Sequence, residues 1–557
     1  MTGFSENRSF DAVVIGSGAT GGYAAQQLCK AGLDVAVIEA GSSVLPPACS
    51  RGTTGRTPIQ ARCSAYNQRT SPYFIEDLPN PYSTLPDKPF SWIRSRMVGG
   101  RTLIWSGQCY RMSDLDFKAG EADGHGESWP ITYQELAPFY AQAERLLEVT
   151  GTCDGIAQLP DGCFSGPSPA NALLLHLREA FARRGAKLIP ARISVRSSNG
   201  GSSCVRCGRV NAGCIEHSTS VNSTLAAAMA TGRLTLFSDT IVRHLASDRE
   251  GNAIAAYVID RESHREFKIS GGMFFLCAST LESTRILLNS GSAAHSAGLG
   301  NSGGTLGHYL VDHLSGISLT AQFRYSGDTG ENGSRPVHLL YIPRSHNLSH
   351  DRSEDFLRGY GWQVTAMRID DYSPDSGPGC GAGATRSQSE TRRRLSDTYV
   401  LRMQAFGEML PRFENYVEID PAGLRDAWGV PALRIHCAHG ANEKVMARHM
   451  IASAYAFADA LGASVISCNK TLSEPGLSVH EAGTCRMGPD PKNSVLNRFN
   501  QCHDAPNVFV TDGSSFTSQG TQNPTLTMMA LTARACEYAV QQARRNDLKR
   551  RPKHRSQ

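Results

Sequence analysis

Asp11-Ala-Val-Val-Ile15-Gly16-Ser-Gly18-Ala-Thr-Gly21 is a short apolar run that breaks into a glycine-rich turn. Good helix formers follow from Tyr23 to Ala31 and are closed by Gly32, and Val35-Ala-Val-Ile38 is a second apolar run ending on Glu39. Strand, turn, helix and strand in that order make a βαβ unit. Each marked position has a chemical reason. Gly16 permits a tight turn, Gly18 lets backbone approach a pyrophosphate, and Gly21 lets helix and strand pack closely. The helix N-terminus supplies partial positive charge. Glu39 lies 18 positions beyond Gly21 and can accept from both hydroxyls of a ribose, which an ordinary glycine turn between strand and helix does not offer. Nicotinamide and flavin dinucleotides both use this unit, and the terminal acid favours NAD or FAD over NADP.

The remaining chain bounds what this unit belongs to. Its 557 residues suggest roughly three or four domain-sized units at ~150 residues each. Hydrophobic types make up 40% and charged types 19%, ample for a large core, which excludes a disordered or collagenous chain. The formal charge of +5 would by itself admit an acidic partner. Residues 544–557, however, hold seven Lys or Arg and one Asp, a net +6, so the rest stands at −1. The basic character therefore reads as a short disordered tail, solvated or in contact with a partner or membrane surface, and the nearly neutral body argues against nucleic acid as a ligand. No transmembrane segment is legible. The uncharged run between Asp11 and Lys30 is rich in glycine, carries Ser17, Thr20, Gln26 and Gln27, and has only Arg8 as a basic flank, unlike a signal-peptide core. By its own sequence the chain is expected in the cytoplasm.

Farther along, residues 95–110 read as a glycine-rich loop and 132–148 as an amphipathic helix. Strands are expected at Leu234–Phe237, Ala253–Ile259, Phe267–Ile269 and Met273–Cys277, with a helix near 279–289. Residues 308–370 read as antiparallel strands, 441–462 as a helix, 508–512 as a strand and 524–543 as a long helix. The stretch 373–394 reads as a mobile loop, either a gate over the substrate or a plain surface insertion. No internal repeat is present.

The far end of the chain is the most distinctive. His480-Glu-Ala-Gly-Thr-Cys485-Arg-Met-Gly488 is followed by Ser494-Val-Leu-Asn497, Asn507-Val-Phe-Val510, Thr511-Asp512-Gly513-Ser514 and Gln522-Asn523-Pro524-Thr525-Leu-Thr527. Nearer the start stand Ile38-Glu39-Ala-Gly41, Val98-Gly-Gly100-Arg101-Thr-Leu-Ile-Trp105 and Ala278-Ser-Thr-Leu-Glu282-Ser-Thr-Arg285. Taken in order, from about residue 10 to 540, these motifs resemble the glucose–methanol–choline (GMC) flavoprotein oxidoreductases. The resemblance implies an α/β fold of the GMC/PHBH kind. A Rossmann-like FAD-binding domain would take residues 8–120, 203–310 and 470–543, and a substrate domain with an antiparallel sheet and helices would take 121–202 and 311–469. It also implies cofactor contacts from Gly16, Gly18, Gly21, Glu39, Gly100, Arg101, Val242, Asp512, Gly513, Asn523 and Thr525, with Val242 at the adenine and Asp512 and Gly513 at the ribityl and pyrophosphate. The run from Trp105 to Phe117, with Trp129-Pro130 after it, is similar to the bacterial sugar-directed branch of pyranose oxidases, glucoside 3-dehydrogenases and flavoprotein subunits of sugar dehydrogenases. Some pyranose oxidases attach flavin through a His just before the loop Trp. Ile104 stands there, which implies non-covalent FAD.

Oxidising an alcohol requires a base for the hydroxyl proton and a second group to aim the C–H bond. Histidine suits the first task, with an unperturbed pKa of ~6.5. The resemblance implies His480 as base and Asn523 as the orienting group. From the residues alone, His480 could be a structural histidine and Asn523 a helix N-cap before Pro524 at the first helical position. His313, in Val311-Asp312-His313, reads as buried and hydrogen-bonded rather than catalytic.

Cys204, Cys207 and Cys214 form the one compact group among 16 cysteines. Three readings stand: thiolate ligands of an iron–sulfur cluster, free or disulfide-bonded thiols, or zinc with His217 as a fourth ligand. Val210 stands where related cysteine-rich stretches carry another Cys. A cluster would imply a dehydrogenase passing electrons to a small subunit, a cytochrome or a quinone. The expected activity is FAD-dependent oxidation of a secondary hydroxyl of a sugar or glycoside, C3 first, to a ketone by hydride transfer to flavin N5, as a dehydrogenase rather than an oxidase. The alternatives are oxidation of a non-sugar alcohol, a non-redox flavin lyase and a non-catalytic subunit that binds FAD or a partner without oxidising sugar. Related sugar dehydrogenases imply a periplasmic location if a signal-bearing partner exports the chain.

Overall fold

The structure is a computed structural model that describes residues 9–43, 74–75, 77–166, 172–196, 217–327, 338–348, 355–369, 372 and 397–550. Its first sheet grows from the glycine motif. Ser9–Ile15 pairs in parallel with Val35–Ile38 on one side and with Glu266–Leu276 on the other. Leu234–Phe237 extends the sheet beyond Val35–Ile38, and Val508–Val510 pairs with Glu266–Leu276, both in parallel. Val35–Ile38 is buried at every position, as a parallel strand covered on both faces must be. The helix Ala19–Lys30 packs against this sheet and against the long C-terminal helix Thr525–Arg550.

Three features depart from the sequence reading. The two short strands expected at 267–269 and 273–277 are one strand, Glu266–Leu276. Its first half pairs antiparallel with Ala253–Asp260 and its second half parallel with Ser9–Ile15. Gly271 sits at the crossover, where a Cβ would stand 2.6 Å from Val13 Cγ2, so close packing rather than a turn accounts for the glycine. An unexpected strand, Thr240–Ser247, completes this edge against Ala253–Asp260. Register shifts after Val242 and Ala246 break its alternation, which hid it from a period-two pattern. Finally, the last helix runs to Arg550, so residues 544–550 of the expected disordered tail are helical.

The second sheet is antiparallel in the order 464–469, 318–324, 398–407, 360–368, 338–342 and 189–190. Leu319, Met403 and Val364 lie opposite one another on one face, as do Ala321, Leu401 and Ala366, and all are at most 1% exposed. The helix Ala441–Ala460 packs on this sheet, with Met446 and Met450 close to Gly407. By strand alternation Gln363 and Phe406 belong to the opposite face, and both reach the site described below. A small sheet of Ser83–Thr84, Tyr416–Ile419 and Leu433–His436 stands apart from both. The helix Tyr133–Leu146 is where 132–148 predicted it, and Thr132 and Glu135 form its capping box. The expected loop 373–394 lies outside the described residues. Among the described residues no helix is long and apolar enough to cross a membrane.

Candidate active site

The glycine turn separates two kinds of glycine. Gly16 has a φ of +97°, and a Cβ on Gly21 would stand 1.9 Å from the Gly16 carbonyl oxygen, so the fold itself demands both. Gly18 differs. Its φ of −70° and ψ of −155° suit any residue, and a Cβ there meets nothing within 4 Å. Nothing in the protein's own packing requires glycine at 18, whereas a phosphate chain crossing that backbone would. The first-turn N–H groups of the helix Ala19–Lys30 lack helical partners and open toward the same turn. Gly100, at φ +53°, approaches from the other side, where its Cβ would lie 3.1 Å from Gly18 Cα.

Glu39 closes this cradle. The Ser17 N–H and hydroxyl donate to one carboxylate oxygen at 3.0 and 2.6 Å, and the Gly41 N–H donates to the other at 2.8 Å. Burial raises the carboxyl pKa, against the lowering effect of these donors. The oxygen bonded only to the Gly41 N–H retains a second lone pair able to accept from a ribose hydroxyl. The strand carrying Val242 starts beside it, with the Thr240 N–H on the Glu39 carbonyl at 2.9 Å. The residues therefore fit a dinucleotide such as FAD.

Other expected cofactor residues have protein partners. Asp512 accepts from the Ser514 N–H at 3.0 Å and from the Ser283 hydroxyl, so its carboxylate caps the turn Gly513–Ser515. The Gly513 carbonyl accepts from the Gly483 N–H at 3.0 Å, tying that turn to the loop bearing His480. The Arg101 guanidinium bonds Glu481 at 2.8 and 3.3 Å, the Val479 carbonyl at 2.9 Å and the Ile93 carbonyl at 3.0 Å. It brackets His480 on both sides along the chain. Thr525 begins the long helix, whose first bond runs from the Met528 N–H to the Pro524 carbonyl. Pro524 thus occupies the cap position expected of Asn523.

The Asn523 side chain is engaged elsewhere. Its Nδ2 lies 3.3 Å from His480 Nε2, and its Oδ1 accepts from Gln363 Nε2 at 3.3 Å. His480 Nδ1 is 2.8 Å from His313 Nδ1, and His313 Nε2 is 3.0 Å from the Gly520 carbonyl oxygen. His313 is buried, as expected, while His480 and Asn523 are half-buried. The loop is held tightly. Asp312 accepts from the backbone N–H groups of Gly476 at 2.7 Å, Ser478 at 3.3 Å and His480 at 3.1 Å, and from the Ser478 hydroxyl. Val479 takes a left-handed φ of +62°, a strained state for a β-branched residue that these bonds over-determine. Phe406 packs with its ring centroid 5.9 Å from that of His480.

Burial lowers the His480 pKa well below 6.5, with His313 and the Arg101 charge adding to it, and burial takes His313 down to about 4. Both rings are therefore neutral at pH 7, the state a general base needs. Such a site can take a hydroxyl proton at His480 while Asn523 holds the oxygen. Sequence reasoning missed Gln363, Asp312 and Gly520. Asp312 precedes a singled-out histidine, but Gln363 sits in an ordinary strand with no local signal.

Cys204, Cys207 and Cys214 lie outside the described residues. His217 is described, with Nδ1 on the Ser194 carbonyl at 2.6 Å. Among the described residues no group of three or more His, Cys, Asp or Glu is placed to hold a metal.

A family model described as GMC oxidoreductase matches residues 10–315, and a second with the same description matches 411–532. The chain is 30% identical to 2-methyl-1,2-propanediol dehydrogenase of Mycolicibacterium austroafricanum, covering 95% of this chain and 94% of that one. It is 27% identical to paromamine 6'-oxidase of Streptomyces fradiae, over 96% and 91% of the two chains. It is 25% identical to the fructose dehydrogenase large subunit of Gluconobacter japonicus, over 98% and 99%. Among solved structures, pyridoxine 4-oxidase of Mesorbium loti superposes with a TM-score of 0.60 at 17% identity, covering 95% of this chain and 98% of that one.

Proposed function

The chain belongs to the GMC oxidoreductase family and is thus an FAD-dependent oxidoreductase of CH–OH groups, and we propose that it oxidises a secondary hydroxyl of a sugar or glycoside to a ketone, at C3 first. The observation that carries the proposal is the 3.3 Å pairing of His480 Nε2 with Asn523 Nδ2, both side chains half-buried. A hydroxyl oxygen set at ~2.8–2.9 Å from both would donate to His480 and accept from Asn523. His480 takes the hydroxyl proton, and Asn523 steadies the oxygen as negative charge grows there. FAD, when bound, supplies the hydride acceptor at N5. Gly16, Gly18, Gly21, Gly100 and Glu39 would hold its dinucleotide half, with Val242 near the adenine, while Asp512, Gly513 and Thr525 shape the turn and helix start behind it. Arg101 acts indirectly, by holding the His480 loop. The cofactor-binding and substrate domains would correspond to the first and second sheets.

The similarity to a diol dehydrogenase supports a second reading, oxidation of a small non-sugar alcohol. The similarity to a protein named as a large subunit supports a dehydrogenase with a small-subunit or cytochrome acceptor, and periplasmic export beside that partner in place of the cytoplasm. An iron–sulfur cluster at Cys204, Cys207 and Cys214 belongs to the same proposal, and iron analysis of the purified protein tests it. Anaerobic mixing with glucosides, free sugars and short diols tests the substrate class. Loss of oxidised-flavin absorbance with glucosides, and a 3-keto product by NMR, is expected. Faster bleaching by diols would favour the second reading, and turnover with unchanged flavin would indicate a lyase. His480→Ala should lower sugar-dependent dye reduction by at least ~100-fold while FAD stays bound.

A further inference from the structure

We infer that His313 is a positioning residue that holds His480 with its proton on Nδ1, leaving the Nε2 lone pair to face the substrate hydroxyl. The inference rests on the functional reading above. Its basis is a single chain of hydrogen bonds: the Gly520 carbonyl to His313 at 3.0 Å, His313 to His480 at 2.8 Å, His480 to Asn523 at 3.3 Å and Asn523 to Gln363 at 3.3 Å.

One end of this chain has fixed polarity. A backbone carbonyl only accepts, so the His313 nitrogen facing it, Nε2, carries a proton. A neutral imidazole has one such proton, which leaves His313 Nδ1 bare. His480 Nδ1, only 2.8 Å away, must then be the donor, because two bare lone pairs at that separation repel. The proton of neutral His480 is accounted for, and Nε2 is bare. The reverse order would set a bare His313 Nε2 against the Gly520 oxygen at 3.0 Å. A doubly protonated His313 would satisfy both contacts, but burial keeps this ring neutral at pH 7. The far end agrees in direction. Asn523 donates to Nε2, and Gln363, donating to Oδ1, holds the carboxamide that way round.

Neighbouring residues divide the work. Asp312 holds the backbone N–H of His480, and His313 holds its ring. When Nε2 gains the hydroxyl proton, Nδ1–H stays bonded to a neutral acceptor, so no charge is added to the site before the reaction begins.

Two variants of the full-length, FAD-loaded protein separate positioning from mere packing. His313→Leu removes the acceptor, whereas His313→Asn places a carboxamide oxygen where Nδ1 was. The leucine variant is expected to lose ~10–100-fold in kcat with KM changed less than ~threefold, and the asparagine variant to recover to within ~fivefold of the parent. A second readout needs no turnover. In ring-15N-histidine NMR of the parent protein, the His480 signals, identified by their loss in His480→Ala, should show a protonated Nδ1 and a bare Nε2. His313→Leu should turn them into a tautomer mixture. A proton on Nε2 in the parent, leucine activity within ~twofold of the parent, or an asparagine variant no better than a folded leucine one would each overturn the inference. If the leucine variant does not fold, the parent spectrum and the asparagine variant decide. Should no alcohol reduce the parent's flavin, the functional reading falls, and the NMR result still judges the tautomer.

Discussion

His480, the base in the proposed reaction, has surroundings that oppose its charge. Burial is the largest effect, followed by His313 and the Arg101 guanidinium, and together they set its pKa well below 6.5. The nearby carboxylates do not reverse this. Glu481 is paired with Arg101, and Asp312, bonded to three backbone N–H groups, is itself pushed up to about 6 by burial and by Glu481. The sign follows from the role. A base works when unprotonated, so rate is lost as pH falls through its pKa, and a depressed pKa moves that loss to lower pH. With substrate reduction of flavin followed anaerobically, kcat/KM is expected to vary less than ~twofold between pH 7.5 and 6.5, with its acid limb entirely below 6.5. A limb centred at 7 or above would mean that burial does not hold His480 neutral. Had the ring been solvated, its ordinary pKa would have placed that limb at about 6.5.

Elements carry the same logic through their glycines. Gly21 and Gly18 belong to one motif, yet a Cβ collides with backbone at the first and with nothing at the second. Gly21→Ala is therefore expected to destabilise the apo-protein by several kcal/mol, about 3 or more, since helix and strand must part. Gly18→Ala should leave apo stability within about 0.5 kcal/mol and weaken FAD binding at least ~tenfold, measured by flavin fluorescence titration and thermal melts of both forms. Equal effects at the two positions would remove the argument that a ligand, not the fold, requires Gly18. What was legible at this scale followed from periodicity. The βαβ unit and the helices at 133–146 and 441–460 all show regular apolar spacing and landed as expected. Thr240–Ser247 did not, because two register shifts erase its alternation. Asn523, read from the residues alone as a helix cap, bonds His480 and Gln363 instead, tertiary partners that outweigh a local preference.

For the whole molecule, the site is assembled from segments far apart in the chain. Gln363 and Phe406 come from the antiparallel sheet, and Arg101, His480 and Asn523 from loops around the nucleotide sheet. No local pattern can announce such a meeting, which is why Gln363 was invisible while the motif-borne His480 was not. Folding must bring both sheets together before the Gln363–Asn523 bond and the Phe406–His480 contact form, so a ligand that binds only the assembled state stabilises the whole. The glycine motif and Glu39 leave NAD and FAD equally possible, and the choice of FAD comes from the family. Thermal melts of the deflavinated protein separate the two directly. FAD at 100 times its Kd should add about 2.7 kcal/mol and raise Tm by a few degrees, increasing with the logarithm of its concentration. NAD at the same concentration should leave Tm unchanged, because in the proposed site the ring beside His480 and Asn523 would be a flavin and not a nicotinamide. A matching rise with NAD would mean that the cradle reads only the shared adenosine diphosphate, and the placement of the reacting ring at the His480–Asn523 pair would then lose its support.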